Sequence, residues 1–89
     1  MISVGKYDFM KDDLIWRAIE GRYRMAFTYD DKFRIVEPHA HGESHDGDMR
    51  LLAWEVFGSR PGWHMFRVAE ITKPALTASG FSGPRHEYE

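Results

Sequence analysis

The sequence predicts a mainly β domain with one N-terminal helix, its short strands bent into a small five-stranded barrel. Three observations carry this. A single segment with helical spacing is followed only by segments that alternate. Short clusters of Gly, Pro, Asp and Ser punctuate the alternating runs and mark tight turns, with one longer polar stretch between the two hairpins. The chain has 89 residues, too few for more than one small domain. With no cysteine it has neither disulfides nor a thiolate metal site to stabilise it. Its core must come from large side chains, and six Phe, four Tyr and three Trp supply them.

The helix is expected over about residues 12–21. Asp12 and Asp13 suit its positive N-terminal end, Gly21 suits its stop, and Leu14, Ile15, Ala18 and Ile19 form the apolar stripe. Arg17 and Glu20 lie off that stripe and should face water. Strands are expected over about 23–77. Met25, Phe27 and Tyr29 share one side of the first, which breaks at Asp30-Asp31-Lys32 before a second at Phe33–His39. Phe33 and Ile35 would then point one way and Arg34 and Val36 the other. If Phe33 and Ile35 are core residues, Arg34 is outside and free to bind. Pro38 has no N–H and belongs at a strand end or edge. Residues 40–48 read as a solvent-exposed loop, residues 50–57 and 63–68 as a second hairpin around Gly58–Gly62, and residues 73–77 as a short closing strand. Residues 1–78 thus form one domain, and 79–89, rich in Gly, Ser, Pro and charge, read as a mobile tail.

The order of residues resembles the WYL domain, a small module with an Sm-like (SH3-like) β-barrel found mostly in bacterial transcription regulators. The resemblance runs from Leu14 to about Leu76 and rests on five pieces: Leu14-Ile15-x-x-Ala18-Ile19, Phe27-x-Tyr29, Arg34-x-Val36-x-Pro38-His39, Leu51-Leu52-Ala53-Trp54, and Trp63-x-x-Phe66-Arg67-Val68-x-x-Ile71. Met49-Arg50-Leu51 stands where the family has its naming triplet, and Glu70 stands where the last strand is usually basic. The resemblance is to the sensing module without a DNA-binding domain. It implies a non-catalytic, ligand-sensing module of transcription regulation that binds single-stranded nucleic acid or a nucleotide-like ligand, with Tyr29, Arg34, His39, Arg50 and Arg67 as the ligand-binding residues. Guanidinium groups fork onto phosphate and aromatic rings stack on bases, so the residue types suit that chemistry.

Charge gives this reading mixed support. Twelve basic against fourteen acidic side chains leave a net charge of −2, short of the basic field that non-specific nucleic-acid binding needs. Between Arg17 and Arg34, however, basic residues outnumber acidic ones. His39, His41 and His45, amid Glu37, Glu43, Asp46 and Asp48, are the weak candidates for a metal site; the same residue types also suit turns. No cofactor is expected. There is no nucleophile elbow and no phosphate-cradling glycine loop, and Ser44 beside His45 does not by itself make a catalytic pair. Trp16, Trp54 and Trp63 are expected in the core or at an interface. A protein-interaction module, with a homodimer through strand edges, is the alternative function. No apolar run reaches the length of a membrane span and Met1–Asp8 lacks the pattern of a secretory signal, so the expectation is a soluble, cytoplasmic protein.

Overall fold

The structure, a computed structural model, describes residues 9–82. The helix α1 (Phe9–Gly21) is followed by β1 (Tyr23–Tyr29), β2 (Lys32–Glu43), β3 (Met49–Phe57) and β4 (Gly62–Arg67), then a 3-10 turn (Val68–Glu70) and β5 (Thr72–Gly80). All ladders are antiparallel, in the spatial order β4-β3-β2-β1-β5. The class is therefore mainly β with one helix and a five-stranded antiparallel sheet. The sheet curls but does not close into a barrel, since β4 and β5 stand at its two ends and do not pair. Side chains bridge the open side. Phe66 of β4 meets Phe27 and Tyr29 of β1 edge to face, with centroids 5.1 and 4.9 Å apart, and the Arg67 amide donates to the Tyr29 hydroxyl at 3.0 Å.

The helix begins three residues earlier than the sequence suggests and packs on β1, β2 and β5. Ile15 and Ala18 are fully buried, Leu14 and Ile19 flank them, and Arg17 and Glu20 face water, as the stripe predicts. Gly21 lies against the half-exposed Tyr23 ring, which a Cβ there would approach to 2.5 Å and push aside. His41 latches the helix to the sheet. Its Nε2 lies 2.6 Å from Asp12 Oδ1, its Nδ1 lies 3.1 Å from the Arg50 carbonyl oxygen, and Trp16 packs edge-on against its ring. Both ring nitrogens thus face oxygens on other elements, one on the helix and one on β3.

The core joins Ile15 and Ala18 to Met25, Phe27, Val36, Leu51, Ala53, Phe66, Val68 and Ile71. The expected faces of β1 hold, but those of β2 are reversed: Arg34 is 5% exposed and Phe33 54%. The turn is the reason. Asp30 and Asp31 form a two-residue turn, both with positive φ, and Lys32 already belongs to β2 as the partner of Tyr29. Phe27 then stands opposite Arg34, and opposed residues of an antiparallel pair share a face, so burying Phe27 draws Arg34 inside.

Three further expectations are corrected. Residues 40–43 extend β2 as far as Glu43, which pairs with Met49, and the loop shrinks to the turn at Ser44–Asp48. Pro38 is buried in the middle strand, past the last β1 pair at Met25–Val36 and beside a register shift against β3 between Pro38 and Ala40. Ser79 and Gly80 belong to β5 rather than to a tail. Arg24 Nη1 donates to Ser79 Oγ at 2.6 Å, and the Phe81 amide to the Arg22 carbonyl at 2.9 Å. The rest of the expected tail, residues 83–89, lies outside the described residues. The two end strands differ in character. β5 carries Lys73 in the left-handed region (φ 52°), Pro74 and two register shifts against β1, whereas β4 is regular and has neither proline nor lysine.

The reversed faces predict opposite mutational costs. Phe66→Ala should cost about 3–5 kcal/mol, and Phe33→Ala under about 1 kcal/mol, measured as urea unfolding free energies.

Candidate functional site

Arg34 sits within a buried polar network. Its Nη1 donates to Glu55 Oε1 at 2.9 Å and to Ser59 Oγ at 3.3 Å, and Nη2 donates to the Tyr29 carbonyl at 3.1 Å. The guanidinium also lies over the Tyr29 and Phe66 rings, 5.5 and 5.9 Å from their centroids. Glu55, fully buried in β3, spends its second oxygen on the turn that leads to β4. Oε2 accepts from the Ser59 amide at 2.7 Å, the Ser59 hydroxyl at 3.1 Å and the Arg60 amide at 2.9 Å. Burial pushes the Glu55 carboxyl up. The hydrogen bonds from Arg34, Arg60 and Ser59, with the charge of Arg34, outweigh it and hold the group below its ordinary value. Gly58 makes the packing possible: its φ is +150°, and a Cβ would fall 2.6 Å from Arg34 Cδ. Arg34 is therefore a structural cation, inside rather than outside.

Arg50 and Arg67 are placed differently. They are direct partners across the β3–β4 ladder, and their side chains converge on the turn before β3. Arg67 Nη2 lies 2.7 Å from Asp48 Oδ2, and Arg50 Nη2 lies 3.6 Å from the same oxygen. Arg50 also reaches Asp46 Oδ2 at 3.4 Å, and Arg67 Nη1 reaches Glu70 Oε2 at 3.6 Å. The turn is ordered by its own bonds. The Ser44 amide donates to the Asp48 carbonyl at 2.8 Å, the Gly47 amide donates to the Ser44 carbonyl at 2.9 Å, and the one Ser44 hydroxyl hydrogen is shared between Asp46 and the Asp48 carbonyl. Gly47 takes the left-handed conformation this needs (φ 91°). The Ser44 hydroxyl, and after it the Asp48 amide, hold the Asp46 carboxyl below its ordinary value; Asp48 raises the Arg67 guanidinium above its own. Arg67 is half exposed beside a cleft of about 360 Å³, whose walls include Met49, Asp48, Ala69 and Glu70.

The structure thus brings Tyr29, Arg50 and Arg67 into one neighbourhood, with Arg34 sealed behind Tyr29. His39 is elsewhere. Trp54 and Trp63 pair on the sheet face opposite the core, between the buried Ala53 and Glu55, and His39 joins them there, 4.9 Å from Trp63 and 5.4 Å from Phe81. None of the three tryptophans lies in the buried core; Trp16 is 42% exposed. His41 serves the helix latch and His45 is exposed in the turn. Among the described residues no three His, Asp or Glu side chains are grouped to hold a metal ion. Ser44 bonds Asp46 and Asp48 rather than His45. The sequence reading missed Glu55 and Asp48. Glu55 had a signal, since it continues the alternation of Leu51 and Ala53 into the core, where a carboxylate needs a cation.

No protein family, curated protein or solved structure matches the chain. Among the described residues no helix is long and apolar enough to cross a membrane.

Removing one member of the Arg34–Glu55 pair strands the other in the interior, so Glu55→Ala should lower unfolding free energy by about 3–5 kcal/mol. The sign of the pH effect follows from the lowered Glu55 value. Ionised Glu55 stabilises the fold above the unfolded-state value of about 4.3, and this stabilisation drains away as pH falls from there through the lower folded-state value. Urea midpoints taken across that window should fall more steeply for the native chain than for Glu55→Gln.

Proposed function

We propose that the chain is a non-catalytic ligand-sensing module of the WYL type, with a bent sheet of Sm-like barrel design, that takes a nucleotide-like anion or single-stranded nucleic acid at the Arg50–Arg67 pair. The fold reading is supported by the element order: one helix, four strands joined by turns, a 3-10 link and a fifth strand that returns to β1. One observation carries the ligand reading. Two guanidiniums on neighbouring strands converge on a single carboxylate oxygen, which is the arrangement a phosphate oxygen would use, and Arg67 and Asp48 of that group line a cleft. Tyr29 fixes the backbone of Arg67 from across the open side of the sheet. Arg34 has no part in binding, because its terminal nitrogens serve Glu55, Ser59 and Tyr29 inside the protein.

A second reading, as a protein-interaction or dimerisation module, is favoured by the sheet's outer face. Leu52, Trp54, Val56, Trp63 and Met65 line it, and Met65 is 56% exposed. Phe33 and Phe57 add a pair of exposed rings 6.2 Å apart at one end of the sheet.

Fluorescence anisotropy with labelled nucleotides and single strands at two salt concentrations separates the readings. Arg50→Ala with Arg67→Ala should weaken binding by about tenfold or more, with the fold retained by circular dichroism, because Arg67 is half exposed and Arg50 lies outside the apolar core. Unchanged binding would remove the pair from the site. On the second reading, sedimentation velocity should show a dimer that Met65→Asp converts to a monomer.

A further inference from the structure

The Arg50–Arg67 pair is already occupied, and by the protein itself. Asp48 places one carboxylate oxygen between the two guanidiniums, and the turn that carries it is closed by bonds from Ser44 and Gly47. Any anion that binds the pair must displace Asp48. A singly charged group gains little by replacing a carboxylate, whereas a phosphomonoester carries about −1.5 to −2 near pH 7. A phosphodiester carries one charge per phosphate and is the weaker competitor. The surroundings narrow the ligand further. Glu43 and Glu70 stand at the cleft that Arg67 and Asp48 line, so a chain of further phosphates entering it would run into carboxylates. Met49 and Ala69 instead offer an apolar wall to an uncharged body.

We infer that the Arg50–Arg67 pair is a seat for the phosphate of a compact phosphomonoester, and that Asp48 is its intramolecular competitor, so that binding frees the Ser44–Asp48 turn. This rests on the reading of the pair as a ligand site. The turn is then the part of the molecule that changes, because the strands that hold the two arginines are fixed by their ladder and by Tyr29. Asp48 contributes its backbone amide and carbonyl to the turn independently of its carboxylate, so Asp48→Asn keeps those bonds and removes the competing charge.

The test is calorimetric titration of the native chain, Asp48→Asn and Arg67→Gln with adenosine 5′-monophosphate, and with a dinucleotide whose only phosphate is a diester. Asp48→Asn should bind the monophosphate about fivefold or more tightly than the native chain, Arg67→Gln should lose it, and the dinucleotide should bind more weakly throughout. Arg67-dependent binding that Asp48→Asn leaves unchanged or weakens would overturn the competitor role and leave the ligand site standing. Equal or tighter binding of the dinucleotide would overturn the ligand class. No binding to either the native chain or Asp48→Asn would fell the ligand site and the inference together. Should Asp48→Asn not fold, amide exchange at Ser44 in the native chain decides the matter. Its N–H, bonded to the Asp48 carbonyl, should exchange faster with the monophosphate bound, and unchanged exchange in the bound state would overturn the inference.

Discussion

The buried pair of Arg34 and Glu55 is the constraint around which the rest of the structure is arranged. Two charges enter the interior of a small domain and are paired there: Glu55 has partners on both oxygens and Arg34 on both terminal nitrogens, while the buried Arg34 Nε has none. Arg34 reaches the end of β1 through the Tyr29 carbonyl and β3 through Glu55, while Glu55 holds the turn into β4 through two amides and a hydroxyl. Four consecutive strands are thus tied at one point. Curling brings Tyr29 and Phe66 over the guanidinium, and this same packing places Arg67 where the Tyr29 hydroxyl can receive its amide. The candidate site lies at the far end of that chain of dependencies.

Much of the fold was legible because it is written in local periodicity. The stripe Leu14, Ile15, Ala18, Ile19 located the helix, and Met25 with Phe27 located the inner face of β1. The reversal at β2 came from a single residue: assigning Lys32 to the turn instead of the strand inverts every following side chain, and both assignments look equally polar in sequence. Pro38 and residues 40–43 were misjudged because a bulge is a tertiary accommodation with no local signal strong enough to announce it. Closure of the barrel was expected from the short strands, their tight turns and the family resemblance, but whether the end strands meet depends on how far the sheet bends.

The site was partly legible. Arg50 and Arg67 stand out as charges within strands, but their opposition across a ladder is a matter of register, and Asp48's role appears only when the turn is folded. Arg34 shows the converse difficulty. The sequence marks it as a charged residue in a strand, as it does Arg50 and Arg67, and only the position of its partner Glu55 separates a core cation from a surface one. His41 likewise reads as one imidazole among several until the helix brings Asp12 to it.

The unequal end strands have a consequence for how copies of this chain can associate. Strand addition at β5 is obstructed by Pro74, which donates no hydrogen bond, and by the left-handed kink at Lys73; on β4 the Tyr29 hydroxyl takes the Arg67 amide, and the remainder of the strand has neither proline nor kink. A molecule with one receptive edge and one blunted edge cannot propagate head to tail. If two copies meet through β4, they consume both receptive edges, and growth stops at a pair. The same asymmetry would work against open-ended growth by strand addition, and it rests on two adjacent residues in the last strand.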